Sequence, residues 1–500
     1  MTSNDQSDDS SRQRQSSAEI KVTLVSLAYF FFVICSYYVI KPVRESLALE
    51  LGSENIPLLN IVSMASLVLV NALYSVIVGH FKRDIFIPFI TRFFAVSLIG
   101  FWILFSFVIP MPGSEAPSTM RQESTAMPAN PARLLVASGS QPVEAVDQPP
   151  SAAVAPCSHF PAVRRPELSW FKIIAISTYY LWVNMFSLMA VSMFWSFMND
   201  VFSVGQSKRL YAIIGYGGLI GGLVGSSLTS LLVRHTGTPN LFILAMIFLY
   251  PSIWCMQYIH RNHYRPEGIP EADRKPVVPA HPPRPWDGFL AVGRNYILLL
   301  MALEMFFYTF SATLFSQQFN HLVENELGNI NERTAFVAGI YGYINIVSLV
   351  TQFLVTRLMM LFANPILGLL MLNFIQVAGT LLMLRQPSLT IISWTIIIRY
   401  ALNYSTGRVL RELIYIPLDR EAKYQGKGFI DTVVFRFGDG LSSAVIFGVL
   451  GFYHYGPWID YSILAVMAMQ FYVIIKAAGL YAQRLQQTGT GTTTPTGATS

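Results

Sequence analysis

VTLVSLAYFFFVICSYYVIKPVRES, residues 22–46, opens with an apolar run that carries no charge until Lys41. A helix needs about 20 apolar residues to cross the hydrocarbon core of a bilayer, so 22–40 reads as a membrane span. Its far end gathers Lys41, Arg44 and Glu45 around Pro42. An ionisable residue at the centre of a span costs roughly 2.5–3.5 kcal/mol and by default marks a substrate path or a gate. Long basic chains near a helix end also reach the interface by snorkelling, but snorkelling has no use for the acid beside the base. Pro42 is expected to break the helix at this point.

The same pattern repeats outward from this segment. Twelve apolar runs are readable, at 22–40, 58–79, 86–109, 171–197, 210–233, 239–259, 295–316, 335–356, 364–384, 388–405, 429–451 and 458–480. The chain is 53% hydrophobic and 12% charged. A soluble domain carries about 25% charged residues, so a lipid-embedded all-α protein is the better class. The runs holding Glu304, Arg399, and Asp431 with Arg436 and Asp439 are weaker by hydropathy, and those helices are expected to face a cavity.

Loop charge gives an expected orientation. Lys82, Arg83, Lys208, Arg209, the 261–284 stretch and the 408–427 stretch fall on one side, while the short loops on the other carry Arg234, Arg333 and Arg385. Both termini are then cytoplasmic, and the chain is a multi-pass protein of the cell (inner) membrane. Segment 110–168 is Pro/Ala/Ser-rich and reads as a disordered outer loop, as do the tails 1–20 and 485–500. The expected organisation is a six-helix bundle over 21–259, a basic Pro-rich cytoplasmic linker over 260–288 and a second six-helix bundle over 289–484. The polar N-terminus lacks the pattern of a cleavable signal peptide. Net charge is +6; its basic residues collect at span ends, so nucleic acid is not an expected partner. Cys35, Cys157 and Cys255 imply no disulfide framework.

Four motifs carry the reading further. Gly217, Gly221 and Gly225 recur at i, i+4, i+8 in GYGGLIGGLVGSS (215–227), a spacing that lets two helix backbones approach closely in lipid. Arg399, Asn403 and Thr406 share one face of the tenth run, which ends in Arg408, Arg411 and Glu412. A planar guanidinium suits bidentate contact with phosphate or carboxylate. In KGFIDTVVFRFGDG (427–440), Asp431, Arg436 and Asp439 read as an internally neutralised group, with Arg436 and Asp439 bridging at i, i+3. Glu304 stands alone in its run; it is a proton or cation site or the partner of a base on another helix. No nucleophile elbow, P-loop, HExxH, CxxC pair or dinucleotide turn is present. No catalytic residue, metal or cofactor is therefore expected, the chain is read as no enzyme, and ATP hydrolysis is not expected to drive it.

Three segments resemble one known family. FWSFMNDVFSVGQSKRLYAIIGYGGLIGG (194–222), RELIYIPLDREAKYQGKGFIDTVVFRFGDG (411–440) and YYVIKPVRES (37–46) are similar to stretches of the bacterial and plastid ATP/ADP translocases. The resemblance implies a major-facilitator-like fold of two six-helix bundles and exchange of ATP for ADP or carriage of other nucleotides. It implies that Arg44 and Arg411 fall on basic positions used for nucleotide binding. The family's carboxylate before the Leu-Trp of the fourth span is replaced here by Tyr180, and another near the end of the seventh span by Ser316 or Gln317.

The expected function is an antiporter that exchanges nucleotides or a related phosphorylated anion by alternating access, acting as a monomer in the bilayer. Lys41, Arg44, Arg399, Arg408 and Arg411 are the expected anion-binding residues. Glu45, Glu412, Asp431, Arg436 and Asp439 are the expected gate and ion-pair groups, with Arg44–Glu45 and Arg411–Glu412 making and breaking pairs. Two alternatives remain open. One is a proton-coupled carrier of another solute, with Glu304 or Asp439 as the coupling carboxylate. The other is a non-transporting scaffold or receptor.

Overall fold

The computed structural model describes residues 2–80, 83–109, 169–202, 204–263, 287–361, 365–407, 410–411, 415, 426–453 and 455–490. The expected loop 110–168 lies outside them, as do most of the linker and the last ten residues. All regular structure among the described residues is helical. In chain order the helices are α1 Thr2–Glu50, α2 Ile56–His80, α3 Arg83–Ile103, α4 Trp170–Val201, α5 Val204–Thr236 and α6 Asn240–His263. A short α7, Asp287–Arg294, leads into α8 Tyr296–Glu326, α9 Ile330–Leu361, α10 Pro365–Arg385, α11 Leu389–Leu402, α12 Phe435–Leu450 and α13 Trp458–Thr490.

Among the described residues, ten helices are long and apolar enough to cross a bilayer, two fewer than the twelve runs expected. The two that fall short are α10, whose apolar stretch is Leu372–Arg385, and the 14-residue α11. Arg399 interrupts the apolar run of α11, which then passes into a π-helical turn at Asn403–Gly407. A second π turn, Ile430–Val434, leads into α12. Such turns concentrate where a helix must re-aim its side chains. The exterior is apolar: Val68, Phe93, Val96, Phe107, Trp254, Phe374 and Ile475 are all more than half exposed. That is the surface expected where lipid is the solvent.

Pro42 does not end the first helix. α1 runs unbroken from Thr2, inside the expected disordered tail, through Pro42 to Glu50. Proline removes one backbone donor, and membrane helices tolerate it where neighbours satisfy the freed groups. The carbonyl deprived of its helical donor is that of Tyr38; around the proline, the Tyr179 hydroxyl of α4 adds a bond to the Ile40 carbonyl at 3.0 Å and the Ser46 hydroxyl one to the Pro42 carbonyl at 2.9 Å. Lys41, Arg44 and Glu45 therefore sit within the helix, and their i, i+3, i+4 spacing puts them on one face.

The glycine stripe of α5 packs on α1. A Cβ at Gly217, Gly221 or Gly225 would collide with the backbone carbonyls of Leu27, Phe31 and Cys35, one turn apart along α1. Backbone against backbone leaves no flexible group to yield. Gly221→Val is expected to destabilise the fold by about 1–3 kcal/mol or more, as overpacking does, with a lowered melting temperature of the purified protein as the check.

The first six helices pack mainly on one another, as do α8–α13. The halves meet through α5 against α9, α2 against α12 and α1 against α9. At the end of the molecule that carries the 51–55 turn they are tied by polar contacts. The Ser53 amide donates to Glu324 Oε2 at 2.8 Å, and Gln317 Nε2 donates to the Ser53 carbonyl at 2.6 Å and to the Tyr455 hydroxyl. Arg333 Nη1 meets Glu50 Oε1 at 3.3 Å, and Lys172 reaches the same carboxylate at 3.5 Å. His321 stacks on Tyr455 with ring centroids 3.5 Å apart. Burial raises the Tyr455 phenol above its ordinary pKa, so it remains a neutral hydroxyl. Gly52, with φ 97°, makes the reversal that delivers Ser53 to this cluster. Arg333→Gln removes the one charged tie made by Arg333 and is expected to open this end. Thiol labelling of a cysteine placed at position 53 should rise several-fold, and unchanged labelling would exclude the tie as a latch.

Candidate functional site

Between the halves lies a cavity of about 310 Å³. From the first half it is lined by Lys41, Arg44 and Glu45 of α1, Asn60 of α2 and Tyr180 of α4. From the second half come Tyr308, Thr313 and Ser316 of α8, Tyr341 of α9, Tyr400 of α11, Asn403 and Tyr404 of the π turn, and Phe435 and Asp439. The volume is at the lower end of the range typical of small-molecule sites. Its wall is aromatic with a few charges.

Arg44 anchors the first-half wall. Its Nη2 donates to Glu45 Oε1 at 3.0 Å, and its Nη1 donates to Asn184 Oδ1. The guanidinium carbon lies 5.1 Å from the centre of the Tyr180 ring. Arg44 Nε is buried and without a partner. The supports of this group are themselves held: Asn184 donates to Ser63 Oγ at 2.7 Å, and the Tyr180 hydroxyl donates to Asn60 Oδ1 at 2.5 Å. Glu45 also accepts from the Tyr341 hydroxyl of the other half. Its carboxylate thus links the two halves as well as the pair within α1. Lys41 Nζ sits 3.9 Å from the centre of the Tyr341 ring and 5.6 Å and 5.9 Å from those of Tyr38 and Tyr37. A cation over aromatic faces is stabilised without a counter-charge, and Lys41 has no ion pair among the described residues.

The second-half basic residues sit behind the wall. Arg411 grips Glu304 with two donors, Nε to Oε2 at 3.1 Å and Nη2 to Oε1 at 3.3 Å. Its Nη1 donates to Asn403 Oδ1 at 2.9 Å. Gln470 adds a donor to Glu304 at 3.4 Å. Glu304 is 3% and Arg411 9% exposed. Glu304, left open by sequence between a coupling site and an ion-pair partner, is thus the partner of Arg411. Glu412, the expected partner, lies outside the described residues, as does Arg408.

Arg399 is buried and has no carboxylate in ion-pair range among the described residues. Its Nε donates to Gln376 Oε1 at 2.8 Å and its Nη2 to the Tyr308 carbonyl at 3.1 Å, while Nη1 has no partner. Aromatic faces supply the rest of its environment: its guanidinium carbon is 4.7 Å from the Tyr308 ring, 5.4 Å from Tyr400 and 5.8 Å from Phe315. Arg411 is also 4.7 Å from the Tyr308 ring. Tyr308 therefore stands between the cavity and two guanidinium groups.

The expected Arg436–Asp439 bridge is not among the ion pairs of the described residues. Asp439 shares a helix face with Phe435, four residues earlier, and both line the cavity. It accepts from the Thr313 hydroxyl at 2.6 Å. Arg436 does not line the cavity and lies 5.9 Å from the Phe435 ring. Asp431 is exposed at the start of its π turn. Of the two positions where the resemblance implies lost carboxylates, Tyr180 and Ser316 line the cavity, and Gln317 points instead into the cluster around Ser53. Tyr308, Tyr341 and Tyr400 were not singled out by sequence. Tyr308 stands four residues after Glu304, a shared-face signal; Tyr341 and Tyr400 carry none beyond being aromatic in apolar runs.

The family model described as TLC ATP/ADP transporter matches residues 158–249 and 389–485. The chain is 26% identical over 302 residues to ADP,ATP carrier protein 1 of Chlamydia trachomatis, covering 53% of this chain and 56% of that protein. The Chlamydia pneumoniae protein of the same name is 26% identical over 305 residues, covering 53% and 58%. The chain thus spans a little over half the length of the curated relatives it matches. Among solved structures, the POT family transporter PepTSo is similar with TM-score 0.55 at 12% identity, covering 93% of this chain and 98% of that one. A D-xylose-proton symporter is similar with TM-score 0.50 at 12% identity, covering 91% and 96%. At that identity both speak to fold alone. The one family model is matched in both halves of the chain, on α4–α6 and on α11–α13, and there the chain is similar to the TLC ATP/ADP transporters.

Proposed function

We propose that this chain is a secondary transporter that exchanges nucleotides, or a related phosphorylated anion, by alternating access. The observation that carries this reading is Arg44, with Lys41 on the same helix face, on the wall of a cavity shared by both halves. Relatives bearing the name ADP,ATP carrier support the cargo class. The arrangement suits an exchange cycle. A phosphate oxygen entering the cavity competes with Glu45 for the Arg44 guanidinium. Glu45, released by Arg44, keeps the Tyr341 hydroxyl of the other half as its donor, so cargo binding shifts the balance of a contact between the halves. Lys41 adds a second positive group one turn away, and the tyrosine faces offer stacking for a base. Arg399 adds positive field from behind Tyr308, and Arg411, neutralised by Glu304, positions that wall.

By the excess of Lys and Arg on one set of loops, the end holding Ser53 faces outward and both termini face the cytoplasm of a cell (inner) membrane. In that orientation the polar ties around Ser53 close the outer side. The test is counterflow in proteoliposomes of the purified chain preloaded with labelled nucleotide. External unlabelled nucleotides are expected to release the label, and amino acids or sugars are not. Release by none of the nucleotides would reject the proposal.

A further inference from the structure

The charge on the cavity wall deepens this reading, and the inference that follows rests on it. The charged residues on the wall, among those described, are Lys41 and Arg44 against Glu45 and Asp439. Two cations face two anions, so the described part of the wall is formally neutral. Among the described residues of the layer behind it, Glu304 neutralises Arg411 and only Arg399 adds an uncompensated charge. The described part of the chamber is thus close to neutral.

Asp439 makes the difference specific. It projects into the cavity from the second half, accepts one hydrogen bond from Thr313 at 2.6 Å, and has no basic partner among the described residues. An ionised carboxylate there repels further phosphate groups and accepts from a donor. A cavity sheltered from water screens that repulsion poorly. The cargo must bring few negative charges, and it must bring an amine or a hydroxyl that Asp439 accepts.

We propose that the cargo is a nucleoside monophosphate or a monophosphate ester of the same form, and that Asp439 selects it against di- and triphosphates. A single phosphate monoester carries about −1.5 to −2 charge near neutral pH. That charge is met by Arg44, once its bond to Glu45 is exchanged for the phosphate, and by Lys41. The planar base lies against the tyrosine faces, with Tyr308 nearest the two guanidinium groups. An exocyclic amine or a ribose hydroxyl donates to the free lone pairs of Asp439. Each added phosphate of a di- or triphosphate has no unpaired cation left among the described residues of the wall and approaches Asp439 instead.

The test is a charge ladder on the full-length chain in proteoliposomes, in magnesium-free buffer. AMP, ADP and ATP compete for release of labelled AMP. Wild-type protein is expected to prefer AMP over ATP by at least tenfold. Asp439→Asn is expected to shrink the AMP-to-ATP ratio several-fold by improving competition by ATP. A wild-type protein that takes ATP as well as or better than AMP overturns the inference and leaves nucleotide exchange standing. A ratio unchanged in Asp439→Asn, in protein that still exchanges, removes Asp439 as the selecting residue. Failure of every nucleotide to compete overturns both.

Discussion

Arg44→Ala is expected to abolish nucleotide-driven exchange while leaving the amount of folded protein in the membrane near that of the wild type. The two halves of that expectation have separate physical sources. For function, in the proposed site the guanidinium offers the cargo charged donors on the cavity wall, and its two Nη groups are held by Asn184 and Glu45 with the Tyr180 face beside them. A hydrogen bond to a charged group contributes about 1.5–3 kcal/mol, so losing two of them lowers cargo affinity by roughly a hundredfold or more. For stability, the alanine variant leaves Glu45 with the Tyr341 hydroxyl as a donor, beside the cavity where water reaches it. No carboxylate is stranded in a dry core. Arg44→Lys keeps the charge but loses the planar fork and is expected to retain a small part of the exchange. Initial rates of counterflow at matched reconstituted protein are the measurement. Alanine-variant rates within twofold of wild type would remove Arg44 from the site.

What the sequence made legible follows from the range of each interaction. Hydropathy finds the helices because a span is a local property of some twenty residues. The glycine stripe of α5 is equally local in its spacing, and it meets the α1 carbonyls of Leu27, Phe31 and Cys35 as small residues at i, i+4 do in lipid. Pro42 shows the limit. Propensity says that a helix breaks there, but α1, packed against α4, α5 and α6, runs through it. With the helix continuing to Glu50, Lys41 and Arg44 move from a supposed helix end to the wall of the cavity. The pairing of Glu304 with Arg411 spans 107 residues and was left open by the sequence for the same reason. The spacing of Arg436 and Asp439 permitted a bridge, but spacing does not say which residue the tertiary fold turns toward a cavity. Asp439 shares the wall with Phe435, and Arg436 stands one residue round the helix.

Arg411→Ala tests a different kind of arginine, one whose loss is expected to act on the fold before it acts on cargo. Its side chain is the main counter-charge of Glu304, which is 3% exposed and otherwise receives a single long contact from Gln470 at 3.4 Å. Removing one partner of a buried ion pair costs about 3–5 kcal/mol, because the charge left behind has neither water nor a cation. Against a total stability of about 5–15 kcal/mol for a typical domain, that is a large share. Arg411→Ala and Arg411→Gln are therefore expected to give markedly less monodisperse protein and a melting temperature lower by several degrees. Glu304→Gln is expected to do the same from the other side, since it leaves Arg411 without its anion, 9% exposed and beside the already uncompensated Arg399. The double variant Glu304→Gln with Arg411→Gln removes both charges and keeps hydrogen-bonding groups facing each other, with Asn403 and Gln470 in place as partners. It should recover most of the lost stability, the non-additivity that a direct contact produces. Because Arg411 lies behind Tyr308 and does not line the cavity, the recovered double variant should also retain measurable exchange, in contrast to Arg44→Ala. Additive melting-temperature losses in the double variant would break the pair as the organising contact of the second half. Full recovery of stability with no exchange would make the arginine itself part of the cargo site.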